Sequence, residues 1–146
     1  IESFRVMELR DRIVSLLPNH PPFFPKDQIT DKPERFFVNE AIREQILLRY
    51  QKEIPYAAEV ITEQFQETEK IIRIRSVIVV ERNSQKGIIV GTKGSAIKHV
   101  GIEARKALEV FFDKKIHLEL FVKVNKNWRS NQTQLQRFGY SSSQKK

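Results

Sequence analysis

From Ile116 to Val124 the chain alternates without a break, with Ile116, Leu118, Leu120, Val122 and Val124 on one side and His117, Glu119, Phe121 and Lys123 on the other. Successive side chains of a strand point to opposite faces, so this pattern predicts a strand with one apolar and one polar face. Such a strand needs a sheet to lie in and a layer to cover its apolar side. Ile71 to Arg82 supplies a second strand, because Ile71, Ile72, Ile74, Val77, Ile78, Val79 and Val80 give it a high β-branched density. Its second half reads as largely buried. Between the two strands, Asn83-Ser84-Gln85-Lys86-Gly87 reads as a turn. Gly87-Ile88-Ile89-Val90 then forms a short apolar helical turn leading into Gly91-Thr92-Lys93-Gly94. Ser95 reads as the cap of a helix carrying Ile97, Ala104, Leu108 and Phe111 at three- and four-residue spacing. That helix should stop near Asp113, and Gly101 permits a close approach along it.

Upstream, a helix is expected from about Asn39, read as its N-cap, with Val38, Ile42, Ile46, Leu47 and Tyr50 on one stripe and Pro55 beyond its end. Tyr56 to Gln66 fits either periodicity: Ala57, Ile61 and Phe65 suit a helix, and Ala58, Val60 and Thr62 suit a strand. Phe4 to Leu17 shows helical spacing ended by Pro18. Five of the six prolines lie between Pro18 and Pro33, which predicts an extended connector and a domain boundary there. Phe23 and Phe24 in it suggest a connector that packs on a neighbour. A short helix is expected within Ser130 to Arg137, and Ser141 to Lys146 reads as a disordered tail. The order of elements predicts an α+β domain, an antiparallel sheet with helices on one face.

The net charge of +8 is unevenly placed. Residues 1–69 hold nine Lys/Arg and thirteen Asp/Glu, and residues 70–146 hold seventeen and five, so the halves carry −4 and +12. A basic region of this kind points to a polyanionic partner, or to a surface kept charged for solubility. There is no cysteine, which excludes disulfides, thiolate metal sites and a cysteine nucleophile. His20, His99 and His117 lack metal-ligand spacing, so no metal site and no catalytic residue is assigned. No apolar run approaches the roughly 18 residues of a membrane span. Ile1 to Arg12 is charged and unlike a secretory signal, and the start reads as a cut inside a longer protein.

The glycine loop carries the most chemistry. Two residues without Cβ let the backbone come close to a phosphate and adopt positive φ. The following helix offers unpaired amides and the positive end of its dipole. Lys93 adds a charge within the loop, and Lys98 follows a turn later. The bland alternative is a tight helix-to-helix turn that needs two glycines. A nucleotide-binding P-loop requires Gly, four residues, then Gly-Lys-Ser/Thr. No Gly-Lys pair here is followed by Ser or Thr, so the chain by itself is expected not to hydrolyse GTP or ATP. Phe121, on the polar side of its strand, either stacks on a base or covers the edge of a helix, and Trp128 beside Arg129 is open to the same two readings.

The run from Gly87 to Lys98 (GIIVGTKGSAIK) resembles the signature of KH domains. Val100-Gly101-Ile102-Glu103-Ala104-Arg105, Leu118 to Val124 (LELFVKV) and Trp128-Arg129 are similar to the C-terminal domain of the Era family of bacterial GTPases, and Phe24 to Phe36 to that family's interdomain segment. The resemblance runs from about Leu16 to Tyr140. It implies a type II KH domain with a three-stranded sheet and helices packed on one face, and it makes Tyr56 to Gln66 a strand. It divides the chain into a helix remnant of a GTPase domain (1–17), a linker (18–37), the KH domain (38–130) and a C-terminal helix and tail (131–146). It implies that Gly91, Thr92, Lys93 and Gly94 hold an RNA backbone. Ile88, Ile89, Ile97 and the strand from Ile116 to Val124 would wall the groove for bases, with Ser95, Lys98, Phe121 and Lys123 as further contacts. The RNA would be single-stranded, the 3′ end of small-subunit (16S) ribosomal RNA, bound during assembly of the 30S subunit. GTP and Mg would belong to the absent GTPase domain, with no cofactor in this chain. Cytoplasmic location is implied, with peripheral association at the inner membrane. The contrasting expectation is a protein-interaction domain that docks on a ribosomal protein or on a GTPase domain.

Overall fold

The structure, a computed structural model, describes residues 5–18 and 32–138. The chain divides into two compact units, Ile1–Asp31 and Lys32–Lys146. In the first, helix α1 spans Val6–Leu16 and buries none of its side chains within that unit. Phe4, Phe23, Phe24 and the tail from Ser141 lie outside the described residues.

The second unit opens with α2, Glu34–Arg49. It starts five residues ahead of Asn39, so the residues 34–37 that the sequence assigns to the connector form its first turn. Pro33 takes the N-cap position in an extended conformation, where a missing amide costs nothing. Asn39 is therefore no cap; its side-chain oxygen instead accepts a hydrogen bond from the Thr62 hydroxyl at 2.7 Å. Val38, Ile42, Ile46 and Tyr50 recur at every fourth residue and are buried, whereas Leu47 is exposed. A single turn, α3 (Ile54–Ala57), carries Pro55 near its start. Strand β1 follows at Glu59–Glu67, which resolves the ambiguous stretch in favour of a strand.

Strands β2 (Ile71–Val80) and β3 (Lys115–Val124) complete a sheet of order β1-β2-β3. β1 pairs antiparallel to β2, with a bulge between Thr62 and Gln64, but β2 pairs parallel to β3. The expected all-antiparallel sheet is thus a mixed one. A parallel pair needs a long crossover, and helices α4 (Asn83–Val90) and α5 (Ser95–Phe112) provide it.

The core lies between α2, α4 and α5 and one face of the sheet, where Val38, Ile42, Ile46, Val60, Ile72, Ile74, Ile78, Ile89, Val100 and Leu108 are almost fully buried. Each such aliphatic side chain contributes roughly 1.5–3 kcal/mol by leaving water. The polar groups caught in this layer have partners. Thr62, which donates to Asn39, also lies 2.9 Å from the Ser76 hydroxyl; having spent its one proton, it must accept from Ser76. Arg43 on α2 reaches the buried Glu59 carboxylate at 2.7 Å. The far end of the sheet's other face is covered by a turn at Trp128–Ser130 and α6 (Gln132–Arg137). There Val77, Val79 and Trp128 pack with Ile61, Leu135 and Phe138.

Candidate nucleic-acid interface

Helix α4 places the glycine loop, and its N-terminus is organised by a buried side chain. Gln85 accepts from the amides of Glu81 and Arg82, both at 3.0 Å, so the expected turn at Asn83–Gly87 is the first part of a helix. Near its C-terminus the buried Tyr50 hydroxyl donates to the Ile89 carbonyl at 2.8 Å. Burial pushes the Tyr50 phenol above its ordinary pKa of 10, with Arg49 opposing the shift. The phenol therefore stays protonated and able to donate at neutral pH.

The loop itself is a chain of unusual backbone conformations. Gly91 has φ 69° and ψ −178°, Lys93 has φ 52° and ψ 28°, and Gly94 has φ 77° and ψ 11°. Gly91 occupies a region open essentially to glycine alone. A Cβ there would sit 2.6 Å from that of Ala96. Lys93 has no such freedom, and its left-handed conformation is strained by roughly 1–2 kcal/mol. Thr92 and Lys93 are exposed. Two amides are engaged inside the turn, Gly94 to the Gly91 carbonyl and Ser95 to that of Thr92. Ser95 is the first residue of α5 and makes no side-chain cap; Gly94 holds the cap position instead. The first turn of α5 still begins with amides that have no acceptor within the helix.

Beside the loop runs an open groove of about 280 Å³ lined by Ile97, Lys98, Gly101, Ile102, Arg105, Leu118 and Leu120. Its floor is apolar, and Lys98 and Arg105 give it cationic walls. Gly101 brings α5 against β3, since a Cβ there would lie 3.5 Å from Leu120. Of the residues expected at the site, Gly91, Thr92, Lys93, Gly94 and Ser95 form the loop and helix start, and Ile97, Lys98 and, from β3, Leu118 and Leu120 line the groove, whereas Ile116, Val122 and Val124 do not. Ile88, half exposed on α4, is not among the lining residues. One other expectation is corrected. Ile89 is completely buried in the core and walls nothing. Phe121 and Lys123 lie on the opposite face of the sheet, as the alternation of β3 requires, so any contact they make is outside the groove. Ile102 and Arg105 were not anticipated, although Lys98, Ile102 and Arg105 sit four and three residues apart and so share one helix face.

A groove of this size with a glycine loop at one end can take a few unstacked bases along its floor and their phosphates at the loop. Residues 53–129 match the model of the KH domain family. The chain belongs to that family. The chain is also similar to larger proteins. It is 48% identical to GTPase Era of Geotalea daltonii over 126 residues, covering 86% of this chain and 42% of that protein. Two solved structures superpose with a TM-score of 0.86 at 33% identity, covering 94% of this chain and 47% of theirs. One is a variant of Aquifex aeolicus Era bound to GDP and aluminium fluoride. The other is Era in complex with MgGDPNP and nucleotides 1506–1542 of 16S ribosomal RNA. The chain thus spans less than half the length of these relatives. Among the described residues, no group of His, Asp and Glu is placed to hold a metal ion, and no helix is long and apolar enough to cross a membrane.

Proposed function

We propose that this chain binds single-stranded RNA in the groove between α5 and β3, with the backbone held at Gly91–Gly94. The observation that carries the reading is the juxtaposition of an apolar floor (Ile97, Leu118, Leu120) with a positive-φ glycine loop and two flanking cations, Lys98 and Arg105. Bases need an apolar slot and phosphates need amides and positive charge, and the KH fold recognises RNA through those two features. The similarity to an Era structure containing 16S ribosomal RNA supports the 3′ end of that RNA as ligand and 30S subunit assembly as the setting. On this reading the chain is part of an Era-type GTPase that works in the cytoplasm, with peripheral contact to the inner membrane. GTP, Mg and hydrolysis would belong to a portion outside this sequence.

The decisive test combines Thr92→Asp with Lys93→Asp in the whole chain and measures affinity for short RNAs from the 16S 3′ end. A folded double variant that binds as well as the parent would end the loop assignment. A GTPase assay on the chain alone should read zero turnover. One observation favours protein docking as a second role: Phe37 on α2 and Phe111 on α5 stack at 4.9 Å, and Phe111 is exposed. Phe111→Ser should then weaken attachment to a ribosomal protein or GTPase domain while leaving RNA affinity intact.

A further inference from the structure

Among the described residues, the face of the sheet turned away from the groove is covered at one end only. Val77 and Val79 lie under Trp128, but the preceding outward residues of β2, Arg73 and Arg75, are exposed. Together with Gln64 and Gln66 of β1 and His117 and Glu119 of β3 they line a shallow depression of about 310 Å³. Among the described residues neither arginine has a carboxylate partner within ion-pair distance. Of the other acids near this sheet, Glu67 pairs with Lys114 and Glu81 with Arg129, and Glu63 lies further along the face toward Val77 and Val79, away from the depression. Glu119 stands opposite Arg75 in register, yet its contact is with the His117 ring at 3.4 Å. The Arg75 guanidinium instead lies 4.6 Å from the centre of the Phe121 ring, which is 44% exposed.

This arrangement suits a sugar–phosphate chain. A guanidinium lying over a ring is restrained by cation–π attraction, while its N–H groups stay free at the ring's edge to fork onto a phosphate. Arg73 and Arg75 project from the same face two residues apart, a spacing of about 6.5–7 Å along a strand, close to the step between successive phosphates of an extended single strand. The exposed ring offers a stacking platform. Lys115 and Lys123 lie on the same face of β3.

The path from the groove is short. β3 is an edge strand, so Leu118 and Leu120 face the groove while His117 and Glu119 face the depression, with Phe121 beside it on the same face under Arg75. A nucleic acid strand leaving the groove has to pass around one strand only. We propose that Arg73, Arg75 and Phe121, with Gln64, Gln66 and His117 around them, form a second nucleic-acid contact, which takes the backbone and one stacked base of RNA continuing out of the groove. The proposal rests on the reading of the groove as an RNA site.

The test uses the whole chain and two RNAs, a hexanucleotide that fills the groove and a strand of about 20 nucleotides that contains it. For the long RNA, Arg73→Gln with Arg75→Gln should weaken binding about tenfold and flatten the salt slope by about 1.4, two phosphates at 0.7 each. Hexanucleotide affinity should stay within about twofold, which also reports an intact fold. Phe121→Ala should show the same selectivity for the long RNA, and Glu119→Gln should tighten it. Unchanged affinity of the arginine double variant for the long RNA overturns the proposal, as does an equal loss for both RNAs. Capture of a polyglutamate peptide by the parent and not by the double variant, with long-RNA affinity unmoved, gives the face to an acidic protein and also overturns it. Failure of the groove reading looks different: Thr92→Asp with Lys93→Asp would then leave hexanucleotide binding intact.

Discussion

Gly91 and Gly94 are alike in the sequence and unlike in the fold. Both have positive φ, but Gly94 sits in the ordinary left-handed well with open space where a Cβ would go. Gly91 combines positive φ with an extended ψ and faces Ala96 at a distance no Cβ tolerates. Gly94→Ala should therefore cost roughly 1 kcal/mol and keep RNA binding, and Gly94→Asn should cost less. Gly91→Ala should cost roughly 3 kcal/mol or more, from strain plus overlap, and should abolish binding by displacing the start of α5. Thermal melts and RNA titration of the three variants check this; equal effects at the two glycines would contradict the geometry. The spacing of the two glycines is legible in the sequence, and their inequality is not, because it depends on where Ala96 lands once α5 has formed. The burial of Ile89 is hidden for a related reason: Ile88 and Ile89 are identical letters, and only the rotation of α4 decides which one enters the core.

At the level of elements, the amphipathic helix α5 and the strands β2 and β3 are legible because their periodicity is long and uninterrupted. Helix α4 is not. Asn83, Ser84 and Gly87 are turn formers locally, and two contacts hold the segment helical: a local one, Gln85 reaching back to the amides of Glu81 and Arg82, and a tertiary one, the hydroxyl of Tyr50, 39 residues upstream of Ile89. The same holds for Asn39, which looks like a cap until Thr62 arrives across the core. Tyr50→Phe tests the tie. It leaves the Ile89 carbonyl without its buried donor and should cost about 1–2 kcal/mol. The sign of its pH dependence follows from the raised phenol pKa. The folded state holds this proton more tightly than the unfolded one, so its contribution is complete below pH 10 and is lost as pH rises through the folded value. Denaturation midpoints followed from about pH 9 to 11 should show a fall in the parent that is reduced in Tyr50→Phe. Parallel curves would mean that the phenol is not buried against α4. Gly101 gives a third test on an element. Alanine is better in a helix by roughly 0.8–1 kcal/mol, and its methyl group would meet Leu120 in ordinary contact. Gly101→Ala should raise the melting temperature while narrowing the groove and weakening RNA binding.

Across the whole molecule, the sign of the charge changes with position along the chain. The stretch up to Glu69 is acidic and the remainder carries +12; α4, α5, β2 and β3, which supply the loop, the groove and the arginine face, all come from that remainder. This partition was readable in the sequence. The parallel pairing of β3 was not, since alternation gives a strand two faces and leaves its direction to the connection. That direction matters: it makes β3 an edge that closes the groove with its apolar side. Binding there should have separable electrostatic and apolar parts. Phosphate contacts release condensed counterions, and a single strand yields a salt slope near −0.7 per phosphate neutralised. Three or four contacts at the loop, Lys98 and Arg105 predict a slope of about −2 to −3 for a short RNA. Lys98→Ala or Arg105→Ala should each weaken binding and flatten the slope by about 0.7. Ile102→Ala removes apolar wall and no charge, so it should weaken binding at every salt concentration with the slope unchanged. Titrations between about 50 and 200 mM salt separate the two classes. An Ile102 variant that flattened the slope, or a Lys98 variant that left it alone, would mean that the bases and phosphates run the other way round from the groove's chemistry.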